Sequence, residues 1–399
     1  MLLRIWVGNY VNLPMRLSFT AEKEHYIIEA VCKEGRIVKR MRFFVKVVLA
    51  LFISMTCISS TFAEASQHKN VKRVDLVNVN EWEVSSADTG GTLLFSDSPE
   101  EAKEDGILYT DKVEGKTRLF YYHTNATNKP KKVVAVMENL TDDKVSIVVN
   151  RYALTGPSKD YLYVGKTAQK DFFDGKYMTY VHLKANQSKV IHPMMEQQKI
   201  DKDELVNGIF EFEAKTPVKV TVAIMPMNAD PIEFLKTAKV LPRDKHGLRG
   251  TFTGMDRVIK SEREYDPKKD GIVSITLADG KIDQYRTGID ATDGSITENY
   301  GNYGILYKIN IPTKGRASTN YYLCPRGGVY AGAIGVKDNV FNDMTVIETP
   351  SEKPFFGTEK KVDEIAYLGK YENRHPLWIE FSPPGASNLP VKLILAPVE

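Results

Sequence analysis

The chain has 399 residues, with 54 Lys and Arg against 51 Asp and Glu, a formal net charge of +3. Removing the 9 basic and 4 acidic residues of segment 1–63 leaves 45 against 47, a net −2, so the bulk of the chain has no overall attraction for nucleic acid. Cys32 and Cys57 lie in that early segment, and Cys324 alone beyond it excludes an internal disulfide or a Cys-based zinc site there.

Residues 1–40 show no clean helical or strand period and read as a mis-assigned, disordered leader. The rival reading is a long basic n-region ending in Arg36-Ile37-Val38-Lys39-Arg40. Segment 41–65 has the order of a secretory signal peptide: Arg42 and Lys46, the apolar run Val47 to Ile58, then small residues. The run is 12 residues long, short of the roughly 20 that span a bilayer, so an uncleaved anchor is the weaker alternative. Cleavage is expected after Ala63 or after Ala65. The expected location is therefore extracytoplasmic, secreted or in the cell envelope, with no stable membrane span after cleavage.

The exported part reads as mostly β. Val71 to Val79 is a plausible first strand. Ser98-Pro99-Glu100-Glu101 has the pattern of a capped helix start. Strands are expected at 118–123, 132–139 and 144–149, the last two as a hairpin, and then at 160–164, 177–183, 189–191, 206–212 and 218–225. Asp230-Pro231-Ile232-Glu233 repeats the capping pattern and opens a helix through Lys239, followed by a Pro/Gly/charge turn. Strands resume at 250–255, 272–277 and 281–286, with Ala278-Asp279-Gly280 as a tight hairpin turn. Further strands fall at 305–311, 319–323, 328–334, 344–347, 377–381 and 391–395.

This spacing predicts an all-β protein of two antiparallel β-sandwich domains with a few short helices. The boundaries are 66–228 for the first domain, 229–249 for a helical linker and 250–399 for the second. Gly106-Ile107-Leu108-Tyr109 recurs as Gly304-Ile305-Leu306-Tyr307. A Tyr pair follows each, and strands opening Pro217-Val218 and Pro390-Val391 close each half. Duplication or chance can produce this.

No nucleophile elbow, zinc-binding His pair, phosphate loop or dinucleotide glycine set is present, and no catalytic residue, metal ligand or cofactor is assigned. Asp290-Ala291-Thr292-Asp293-Gly294 fails calcium-loop spacing and reads as a turn. Cys324 reads as a small core residue. Aromatic residues are the remaining signal. Tyr300, Tyr303, Tyr321 and Tyr322, with Trp378 later, are candidates for a platform on which sugar rings stack, against ordinary packing of Tyr on strand faces.

Leu94-Phe95-Ser96-Asp97-Ser98-Pro99-Glu100, Glu104-Asp105-Gly106-Ile107-Leu108-Tyr109 and Gly156-Pro157-Ser158-Lys159-Asp160-Tyr161 resemble segments of uncharacterised secreted bacterial proteins. Those proteins accompany copper amine oxidase N-terminal-like stalk domains. The resemblance implies an envelope or extracellular role and no defined activity. Oxidase chemistry is not implied, because Asn299-Tyr300 is followed by Gly301 and no His-x-His occurs. The expected function is a non-catalytic exported envelope protein with a structural or binding role, whose partner is cell-wall polysaccharide or another envelope protein. A glycan-binding module and a secreted glycan hydrolase are the second and third readings.

Overall fold

The computed structural model describes residue 76 and residues 78–175, 178–338, 342–350, 353–361 and 364–398, together with three earlier strands. The chain divides into two compact units, Met1–Arg73 and Val74–Glu399. In the first unit Arg16–Glu22, His25–Val31 and Ile37–Phe44 form a three-stranded antiparallel sheet. The leader expected to lack regular structure thus carries strands, and the last of them includes the first residues of the expected signal segment. Residues 45–65, with Ala63 and Ala65, lie outside the described residues.

The second unit is all-β with short helices. Its largest sheet has 11 strands. Two long strands, Gly106–Asn125 and Leu205–Pro226, pair antiparallel along most of their length. The first part of Leu205–Pro226 also pairs with Val145–Ser158, and the last part pairs with Lys131–Asn139. A register shift between Ala214 and Val218 marks the change, opposite Gly115 at φ 80°. Such a bulge bends a strand, so one strand serves two layers. Lys131–Asn139 and Val145–Ser158 consequently lie on opposite layers and are not a hairpin. Between the layers is a core that includes Leu119, Tyr121, Val134, Ile147, Phe210, Val222 and Ile224.

The second sandwich pairs a six-stranded sheet with a five-stranded one. Its core draws on Ile259, Leu306, Ile309 and Phe381 from the first, and on Ile275, Leu323 and Leu393 from the second. That core continues onto the other face of the large sheet, through Phe95, Phe120, Tyr122 and Ile209. Leu119-Phe120-Tyr121-Tyr122 is therefore apolar without alternation because both of its faces are covered.

The expected boundary does not separate the sheets. Ser85–Thr89 pairs with Asp256–Lys260, and Asn80–Glu81 pairs with Val273–Leu277. Thr92–Ser96 joins Gly106–Asn125 to Arg249–Thr253, and the large sheet runs on through Arg286–Asp290 to an edge at Ser295–Asn299. The expected linker 229–249 has its helix at Pro231–Leu235, capped by Asp230, but ends in the buried Arg249. The longest helix among the described residues, Tyr161–Asp174, replaces an expected strand. Asp160 caps it by accepting from the Tyr163 backbone N–H, and Val164, Ala168 and Phe172 recur every fourth residue to give one buried stripe. Ser98-Pro99-Glu100 is a bend that leads into the strand Glu101–Ala102 rather than a helix start, because the Ser98 hydroxyl bonds Asp244 instead of the local backbone. Ala278-Asp279-Gly280 is not a hairpin, since Val273–Leu277 and Arg286–Asp290 belong to different sheets. The repeated phrases also part: Gly106–Asn125 lies beside the Val218 segment, whereas Leu306–Asn310 and Val391–Pro397 occupy different sheets.

Candidate functional site

The seam between the sandwiches holds the charged chemistry of the second unit. Arg118, on Gly106–Asn125, is 1% exposed. Its guanidinium donates to Glu211 at 2.6 Å, to Asp256 at 2.8 Å and to the carbonyls of Met255 and Gly304. Lys308 completes Asp256 at 2.6 Å, and Arg151 adds to Glu211 at 3.3 Å. Burial alone would raise both carboxyls, but Arg118, with Lys308 and Arg151, outweighs it and holds both below the ordinary range. Arg249 is a second buried arginine further along. It donates to Asp290 at 2.8 Å and to the carbonyls of Ser98, Leu108 and Leu241. The acidic loop 290–294 is thus a turn whose first carboxylate is held by an arginine. Cys324 is fully buried, which pushes its thiol up to about 11, in keeping with a core residue.

Beside Arg249 opens a cleft of about 640 Å³. One wall is the turn 242–247, with Arg243, Asp244, Lys245 and His246. The other is the edge strand Ser295–Asn299 and Tyr300. Tyr300 is half exposed. Its hydroxyl lies by the Glu298 carboxylate, which is the main cause of its raised pKa. Tyr285 meets its ring edge-on, with centroids 5.7 Å apart and planes at 79°. Ile296, strongly exposed, adds apolar surface on the same wall. Arg243 is held toward the cleft by Asp293 at 3.5 Å and Asp290 at 3.7 Å. An exposed, fixed ring amid cations and carboxylates can stack on a flat apolar face and bond the hydroxyls around it.

The turn 242–247 is clamped to the segment after Thr92–Ser96. Asp244 accepts from the Ser98 hydroxyl and from the backbone N–H groups of Glu100, His246 and Gly247. Burial would raise Asp244, but these donors keep it low. His123 donates from Nδ1 to the Pro99 carbonyl, so its Nε2 accepts from the Ser96 hydroxyl at 2.8 Å. Burial lowers its pKa to about 4, which leaves it neutral and fixes this tautomer at neutral pH. The segment's backbone is well bonded, yet the side chains of Asp97 and Glu100 make no hydrogen bond to another described residue. Asp97 is 9% exposed, and its Oδ1 is sealed without a donor. Burial, then Glu100 and Asp244, raise Asp97 well above the usual carboxylate range. Glu100 is raised by burial, Asp244 and Glu101, against a smaller opposing effect of His246.

The five aromatic residues expected to form a platform do not come together. Tyr321 and Tyr322 are buried, packed against Tyr371 and Tyr367. Tyr303 is largely covered and donates its hydroxyl to the Ser387 carbonyl. They are interior because Ser318–Pro325 is flanked on both sides by strands and faces the core. Trp378 is partly exposed but lies in the six-stranded sheet, away from the strand that carries Tyr300. Tyr300 alone reaches the cleft. Asp97 and Glu100 went unread because Ser98-Pro99-Glu100-Glu101 has the form of a helix cap. Two acids flanking Ser-Pro were the available signal. Among the described residues no group of three or more His, Cys, Asp or Glu is placed to hold a metal ion.

No family model and no curated protein matches the chain. Solved structures align only loosely. PNGF-II gives 9% identity over 98% of this chain and 82% of that one, with a TM-score of 0.16. The M60 catalytic domain with two CBM51 domains from Clostridium perfringens ZmpB gives 6% identity over 93% and 46%, with a TM-score of 0.16. The 7S globulin of Momordica charantia gives 9% over 77% and 84%, with a TM-score of 0.13. Scores this low carry no argument about fold or function.

Proposed function

We propose that the protein is an exported, non-catalytic β-sandwich protein of the cell envelope that binds cell-wall polysaccharide in the Tyr300 cleft. The observation that carries this reading is the half-exposed Tyr300 ring, held by Glu298 and Tyr285 at the mouth of a polar cleft. A pyranose presents a flat C–H face to such a ring and hydroxyls to the groups around it. The signal-like order of segment 41–65 supports export. The test is retention of the purified protein on isolated cell wall. Wild type is retained and Tyr300→Ala is washed off with its melting curve unchanged. Equal retention of both, or of neither, refutes the proposal.

A further inference from the structure

The formal charges lining the cleft cancel, but their hydrogen-bonding capacity does not. Arg243, Lys245 and Arg249 stand against Asp244, Asp293 and Glu298. Asp244 is engaged on both oxygens. Its Oδ1 accepts from the Ser98 hydroxyl and the backbone N–H groups of His246 and Gly247, and its Oδ2 from that of Glu100. Asp293 Oδ1 accepts from the Ser295 hydroxyl and backbone N–H. Arg249 is spent on Asp290, Thr292 and three carbonyls.

What stays open is one-sided. Arg243 is approached by Asp293 at 3.5 Å and by Asp290 at 3.7 Å, distances too long for hydrogen bonds. These carboxylates aim the guanidinium without using its five N–H donors. Lys245 and His246 are exposed and, among the described residues, their side chains make no hydrogen bond or ion pair. All three stand on the turn 242–247, which Asp244 clamps to residues 98–100. The opposite wall offers the Tyr300 ring and, by its hydroxyl, the Glu298 carboxylate. One wall is thus rich in unfilled cationic donors, and the other is aromatic and repels an anion. A ligand that fits both turns an acidic group to the turn and an apolar ring face to Tyr300.

We infer that the cleft selects an acidic polysaccharide, whose carboxylate or phosphate is bound by Arg243 and Lys245, with His246 as a further donor, while its sugar ring stacks on Tyr300. Anionic oxygens take paired bonds from a planar guanidinium, and such charge-assisted bonds are about twice as strong as neutral ones. A neutral sugar brings a donor with every hydroxyl, whereas the carboxylates of the turn wall are already engaged.

The inference rests on the cleft being a glycan site, and matched ligands separate the two. Calorimetric titrations of the full chain at low ionic strength use an oligogalacturonate and its carboxyl-reduced form, then a phosphorylated mannan oligomer and its dephosphorylated form. The acidic member of at least one pair should bind more tightly by about tenfold, the worth of one charge-assisted hydrogen bond. Which pair shows the preference tells carboxylate from phosphate. The preference should be lost in Arg243→Gln, in Lys245→Gln or in both, with melting curves confirming that the variants are folded. Equal affinity within both pairs, binding of none of the four ligands, or a preference that survives in both variants overturns the inference. If cell wall still retains the wild type, the glycan reading of the cleft stands. If it does not, that reading falls as well.

Discussion

The Arg118 cluster and the Asp97–Glu100 pair occupy the same seam and are built in opposite ways. At Arg118 each buried carboxylate meets a cation, and both carboxyls are held low. At Asp97 and Glu100 no Lys or Arg among the described residues forms an ion pair, and both are held high. Burial is common to the two, so the difference is partnership. A partnered charge fixes how two sheets meet, whereas an unpartnered one is a cost to folding that a ligand can remove. Their pH dependence should therefore run in opposite directions. Glu211 and Asp256 contribute stability that is present above the ordinary carboxylate pKa of about 4 and lost as pH falls through their lower folded values. For Asp97 and Glu100 stability is complete below about pH 4 and lost as pH rises through their raised values.

The seam can be broken outright. Segments 74–228 and 246–398 expressed apart should each fail to melt cooperatively and should regain a single transition on mixing. They exchange the Ser85–Thr89 and Asn80–Glu81 strands and share the large sheet. Two independent cooperative melts would restore a two-domain chain. A gentler cut is Arg118→Met, which leaves Glu211 and Asp256 without their shared cation. Urea unfolding at pH 7 should show a loss of about 3–5 kcal/mol, the cost of breaking a buried pair. A loss under about 1 kcal/mol, the range of surface ion pairs, would mean that Lys308 and Arg151 suffice. Asp97→Asn should act with the opposite sign. It should stabilise the ligand-free protein at pH 7 by on the order of 1 kcal/mol and make no difference below pH about 4. Destabilisation at pH 7 would show that the Asp97 carboxyl has a structural partner.

Much of the architecture was legible from the sequence, and its failures have physical causes. The all-β class, the Asp230-capped helix and the core placement of Cys324 followed from local pattern. The helix Tyr161–Asp174 was missed because Tyr161-Leu162-Tyr163-Val164 reads as strand, while its burial stripe appears only over a longer window. The domain cut failed because strand partners are set by long-range packing. Nothing in Ser85–Thr89, which is polar and exposed, announces Asp256–Lys260 as its neighbour. Of the candidate site, Tyr300 was legible as an aromatic residue but not as the one that stays exposed. Tyr321 and Tyr322 have the same chemistry and differ only in having strands on both sides. Asp97 and Glu100 were hidden because a Ser-Pro-Glu-Glu phrase caps helices in other settings.

Tyr300 and Trp378 offer the most direct test, since both are exposed aromatic residues and only Tyr300 lies in the polar cleft. Affinity electrophoresis in gels containing soluble cell-wall polysaccharide compares them side by side. Wild type and Trp378→Ala should be retarded equally, and Tyr300→Ala should migrate as it does in a gel without polysaccharide. Retardation lost in Trp378→Ala and kept in Tyr300→Ala would place binding on the six-stranded sheet and contradict the assignment to the cleft.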